Sequence, residues 1–102
     1  MAVFALTRVY GPNYNDSLDR RAQDAWTQHA AFMDRLLDDG FVIMGGPLDD
    51  ARQVLLIVQA ADEQEVAARL AADPWEPMGM LRTAGVKRWD VWLDSRAAPR
   101  PG

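Results

Sequence analysis

Hydrophobic spacing along the chain switches between a strand-like and a helix-like period, and it predicts six elements. Ala2 to Tyr10 reads as a first strand, with Val3, Phe4, Ala5 and Leu6 apolar on both parities, as in a strand covered on both faces. Gly11-Pro12-Asn13 breaks the chain, and Asn13 to Asp16 is a polar loop. Leu18, Ala22, Ala25, Trp26, Ala30, Phe32, Met33, Leu36 and Leu37 then recur at threes and fours. They predict one amphipathic helix, capped by Asp16 or Ser17 and running to about Asp39, with Gly40 as its left-handed stop. Phe41 to Met44 is a short second strand, Gly45-Gly46-Pro47 a tight turn, and Leu48 to Arg52 a polar connection. Gln53 to Ala60, unbroken from Val54 to Val58, reads as the most buried strand. Asp62 and Glu65 resemble a capping box for a second helix, with Val66, Ala67, Leu70 and Ala71 on its inner face. Asp73-Pro74 ends that helix, because the residue before proline is pushed out of helical geometry. Trp75 to Gly85 is a loop, and Val86 to Leu93 a last strand whose mixed alternation suits a sheet edge.

The order βαββαβ points to an α+β ferredoxin-like fold: a four-stranded antiparallel sheet with two helices on one face. Two helices cover only one face, yet the first and third strands are apolar on both. A second copy packed sheet to sheet is the simplest cover, so a homodimer is expected. Residues 1–94 form the expected domain and 95–102, SRAAPRPG, a flexible tail.

Composition narrows the partners. The 11 basic residues face 15 acidic ones, a net charge of -4, which argues against nucleic acid and anionic membrane surfaces. The third strand also lacks the aromatic and basic residues that stack RNA bases. Without cysteine there is no disulfide, thiol nucleophile or thiolate metal site, and one histidine with scattered aspartates supplies no closed ligand set. No apolar run spans a bilayer, and MAVFALTRVYG alternates like a strand rather than a signal peptide, so a cytoplasmic protein is expected.

Two residues invite a chemical reading. His29 is the only histidine; it lies three residues after Trp26 and four before Met33, on or beside the buried stripe. A histidine acting as acid or base needs a partner that fixes its tautomer, and Asp73, stiffened by Pro74, is the available carboxylate. Each also has an ordinary structural reading: a half-buried core histidine bonded to a carbonyl, and a helix-terminal residue before proline. Gly45-Gly46-Pro47 precedes no helix and lacks the lysine of a phosphate loop. Met78 and Met80 serve either as gap-filling residues or as a cover over a ligand.

An ordered set of residues resembles the YCII-related (YciI-like) family over about residues 2–93. The set comprises His29, Phe32-Met33, Leu36, Gly40, Gly46-Pro47, the apolar third strand, Ala68, Leu70, Asp73-Pro74-Trp75 and Val86 to Trp89. The resemblance implies a ferredoxin-like fold dimerising through its sheets, as in dimeric α/β-barrel proteins such as muconolactone isomerase, with a site built on a His–Asp pair that maps onto His29 and Asp73. The chain departs from the pattern at Trp26, where many relatives carry arginine, and at Leu48, where many carry glycine.

The expected function is cofactor-independent acid–base chemistry on a small organic molecule, of isomerase or lyase type. His29 moves the proton and Asp73 orients it. Trp26, Phe32, Trp75 and Met78 wall the pocket, and Arg8 or Tyr10 holds a polar substrate group. The alternative is a dimeric small-ligand-binding or accessory protein without catalysis.

Overall fold

The computed structural model describes residues 1–49 and 52–96. Its elements are β1 (Ala2–Tyr10), α1 (Trp26–Asp38), β2 (Val42–Pro47), β3 (Gln53–Ala60), α2 (Glu63–Ala71) and β4 (Leu81–Arg88), with one 3-10 turn at Arg20–Ala22. All neighbouring strands are antiparallel, in the order β2-β3-β1-β4. This is the ferredoxin-like α+β arrangement, with the two most apolar strands at its centre.

The first helix starts later than its apolar stripe predicts. Gln23 is buried, and its side-chain amide donates to the carbonyls of Asn15 and Leu18 while accepting from Asn15 N–H. These bonds fold residues 15–23 into a loop, so Leu18 is exposed and Asp19 caps only the 3-10 turn. Ala25 then takes a left-handed conformation (φ 58°), which separates that turn from α1. Within α1 the buried residues are His29, Phe32 and Leu36, spaced as one face.

Three other boundaries differ. Gly45-Gly46-Pro47 is part of β2, pairing with Leu56, Leu55 and Val54, rather than a turn. Proline fits there because β2 is an edge strand. β4 begins at Leu81, inside the segment read as a loop, and ends at Arg88 instead of Leu93. Gly85, at φ 64°, is the extra residue where the β1–β4 register shifts, which explains the broken alternation. On α2 only Val66 and Leu70 are buried, whereas Ala67 and Ala71 face outward. Its capping is close to that expected: Asp62 accepts from Glu65 N–H, and Glu65 accepts from Ala61 N–H. Asp50 and Ala51 of the polar connection, and residues 97–102 of the tail, lie outside the described residues.

The main core joins Phe4, Leu6, Leu56, Val58 and Ala60 from the sheet to Phe32, Leu36, Val66 and Leu70 from the helices. A second cluster of Trp75, Met80 and Leu81, with Tyr10, Tyr14 and Trp26 against it, forms at one end of the sheet. Gly45 lets β3 approach: a Cβ there would lie 2.3 Å from Leu56 Cδ2 and 3.1 Å from the Leu55 carbonyl oxygen. Gly45→Ala is therefore expected to lower the unfolding free energy by roughly 1–3 kcal/mol, the usual range for overpacking. Urea unfolding reads the difference, and an unchanged midpoint would show that Leu56 turns aside freely.

Candidate active site

β1 places Phe4, Leu6 and Arg8 on the helix-facing side of the sheet. Arg8 is 1% exposed, and a buried guanidinium requires acceptors. Its Nη1 donates to Asp73 Oδ2 at 2.7 Å and its Nη2 to Glu76 Oε2 at 2.6 Å. Both carboxylates come from the turn after α2. Pro74 stiffens that turn, Trp75 N–H donates to Asp73 Oδ1 at 2.9 Å, and Glu76 N–H donates to the Asp73 carbonyl at 3.0 Å.

His29, in the first turn of α1, completes the set. Its Nδ1 lies 2.9 Å from Asp73 Oδ1 and 2.8 Å from Oδ2. A carboxylate only accepts, so Nδ1 carries the hydrogen and donates it. In the neutral ring this leaves the Nε2 lone pair available. No residue among those described hydrogen-bonds Nε2, and the ring lines an open cavity. The imidazole lies flat on the Trp75 indole, with centroids 3.9 Å apart and planes within 4°. Trp75 is fixed in turn by Nε1 donating to the Asp24 carbonyl at 2.7 Å.

Asp73 is fully buried. Burial pushes its carboxyl group up, but hydrogen bonds from His29, Arg8 and Trp75 N–H outweigh this and hold it below the usual aspartate value. The arrangement is an oriented imidazole backed by a permanent carboxylate and facing a cavity, which equips it to take or give one proton at Nε2. Among the described residues no three histidine, cysteine or carboxylate side chains cluster as metal ligands do.

The cavity measures about 410 Å³, in the range of small-molecule sites. Arg8, Tyr10, Trp26 and Trp75 line it beside His29. Arg8 does so with both Nη atoms already bonded to carboxylates. Phe32 and Met78 do not line it: Phe32 packs in the main core, and Met78 lies against the Trp75 cluster with its carbonyl accepting from Asn13. Met33, Leu37, Val42, Val54, Leu56 and Leu81 supply apolar wall that the sequence pattern did not assign. Glu76 was missed as well. The signal was present: an inward-facing Arg8 demands acceptors, and Glu76 is the next carboxylate after Asp73.

Comparison with known proteins identifies the family and a similar fold. The model of a family described as the YCII-related domain matches residues 3–90. Among solved structures the chain is similar to 5-chloro-2-hydroxyhydroquinone dehydrochlorinase (TftG) from Burkholderia phenoliruptrix AC1100, in complex with 2,5-dihydroxybenzoquinone. The identity is 26% and the TM-score 0.64, over 86% of this chain and 93% of that one. No curated protein matches the chain.

Proposed function

The chain belongs to the YCII-related family, and from that premise we propose that it is a small-molecule enzyme working by proton transfer at His29. The observation that carries this reading is the geometry of His29, with Nδ1 on a buried carboxylate, no described residue hydrogen-bonding Nε2, and the ring lining the cavity. Nε2 takes a proton from carbon or oxygen next to a carbonyl or on a hydroxylated ring, and returns it at another position or after a group leaves. Asp73 holds the tautomer and keeps the ring oriented through its bond from Nδ1. This is isomerase or lyase chemistry, run by the chain's own side chains without a cofactor. A dehydrochlorinase among the similar structures supports the lyase branch, and the apolar cavity walls suit a ring compound.

Proton exchange tests this whatever the net reaction is. The protein is incubated in D2O with a panel of hydroxylated quinones and cyclic ketones, and deuterium uptake into each compound is followed by mass spectrometry. Uptake above the buffer rate that disappears in His29→Asn is expected. Equal uptake in both proteins would favour the non-catalytic, ligand-binding alternative.

The second part of the reading is a homodimer. Val3, Ala5, Leu55, Ile57 and Met44 lie on the sheet face opposite the helices, and Met44 is 46% exposed. Gly46 belongs to the same face and has no neighbour within 4 Å of where its Cβ would stand, which leaves room for close approach. A second copy laid on this face would bury it. Sedimentation at micromolar protein should give twice the chain mass; a monomer mass would refute it. Among the described residues no helix is long and apolar enough to cross a membrane.

A further inference from the structure

Arg8 is one cation held by two carboxylates, Asp73 at 2.7 Å and Glu76 at 2.6 Å. Asp73 alone would neutralise it. We infer that Glu76 is the charge-compensating residue for His29: it supplies the negative charge that lets the imidazole hold a proton. This rests on the reading of His29 as the group that exchanges protons.

The balance is simple. Arg8, Asp73 and Glu76 together carry one negative charge, so a neutral His29 leaves the cluster at minus one and an imidazolium brings it to zero. Without Glu76, Arg8 and Asp73 cancel, and the imidazolium becomes an unbalanced cation beside two fully buried ions. The position of His29 sharpens the need. It sits in the first turn of α1, where the helix dipole disfavours positive charge.

The polar groups that line the cavity do not substitute for Glu76, which stands behind Arg8. Tyr10 of β1 is an uncharged phenol. Arg20 of the 3-10 turn and Asp34 of α1 are opposite in sign, and both are solvent-exposed. The lining residues from β2, β3 and β4 are Val42, Gly45, Gly46, Pro47, Val54, Leu56 and Leu81, none of them charged. Glu76, by contrast, is fixed by its bond to Arg8 and by its own N–H on the Asp73 carbonyl, and its side chain is 27% exposed.

His29 is the only histidine, so its ring protons report by NMR without assignment. Glu76→Gln keeps an acceptor for Arg8 and removes only the charge. Its His29 titration midpoint is expected about one pH unit below that of the wild type, a tenfold weaker hold on the proton. Glu76→Asp, which keeps the charge, should stay close to the wild-type midpoint. Should Glu76→Gln fail to fold, Glu76→Ser should give the same downward shift. A folded Glu76→Gln or Glu76→Ser protein with the wild-type midpoint would overturn the inference, because a clamp that merely positions Arg8 would not move the proton. The titration is read without substrate, so this outcome is separate from failure of the catalytic reading, which shows as deuterium exchange surviving in His29→Asn.

Discussion

His29→Asn is expected to lower the rate of proton exchange by about 10²- to 10⁴-fold, the usual contribution of a positioned acid or base. The substitution suits the site. An asparagine amide can still donate to Asp73, which otherwise loses a partner in a fully buried position. The side chain offers no group that titrates near neutrality, so proton transfer is lost while the local bonding is largely kept. Binding should change little, because the apolar wall of Met33, Leu37, Val54 and Leu56 and the two indoles remain. Quenching of tryptophan fluorescence by whichever panel compound takes up deuterium follows binding separately from exchange. Exchange that falls only in proportion to lost binding would mean that His29 shapes the pocket and carries no proton.

The second large effect is on stability. Asp73→Ala should lower the unfolding free energy at neutral pH by about 3–5 kcal/mol, the range for removing one partner of a buried ion pair. Three donors lose their acceptor at once: Arg8 Nη1, His29 Nδ1 and Trp75 N–H. Glu76 still holds Arg8, which should keep the variant folded. The pH dependence gives a second signature. The folded-state value of Asp73 lies below its unfolded value, so its contribution is complete above the unfolded value of about 3.9 and is lost as pH falls through the folded one. Wild type and variant should therefore differ most at neutral pH and converge in acid. Urea unfolding from pH 7 down to pH 3 checks this, and a constant gap across the range would mean that Asp73 acts only by packing.

Much of the fold was legible in the sequence because period is a local property. β1 and β3 were readable to the residue, since strands at the centre of a sheet must be apolar on both parities. The four-stranded antiparallel sheet and the edge position of its last strand followed from element order and from mixed charge. What failed depended on side-chain contacts that the hydrophobic period does not report. The apolar spacing of Leu18, Ala22 and Ala25 is indistinguishable from helix until Gln23 is seen to bind Asn15 and Leu18. Gly45-Gly46-Pro47 has turn composition, and only the close Leu56 side chain makes glycine a strand residue there.

The same division runs through the candidate site. From sequence alone came the chemistry on offer: a single histidine on a helical face, and one aspartate stiffened by proline. Tertiary structure decided which atoms meet. Residues 44 positions apart in the chain lie 2.8 Å apart, because β1 and α1 converge with the turn after α2. It also set Arg8 between Asp73 and Glu76, since only a folded interior makes a buried guanidinium need an acceptor at each Nη. Side-chain identity is written residue by residue, whereas charge balance belongs to the cluster and exists only once the chain has folded.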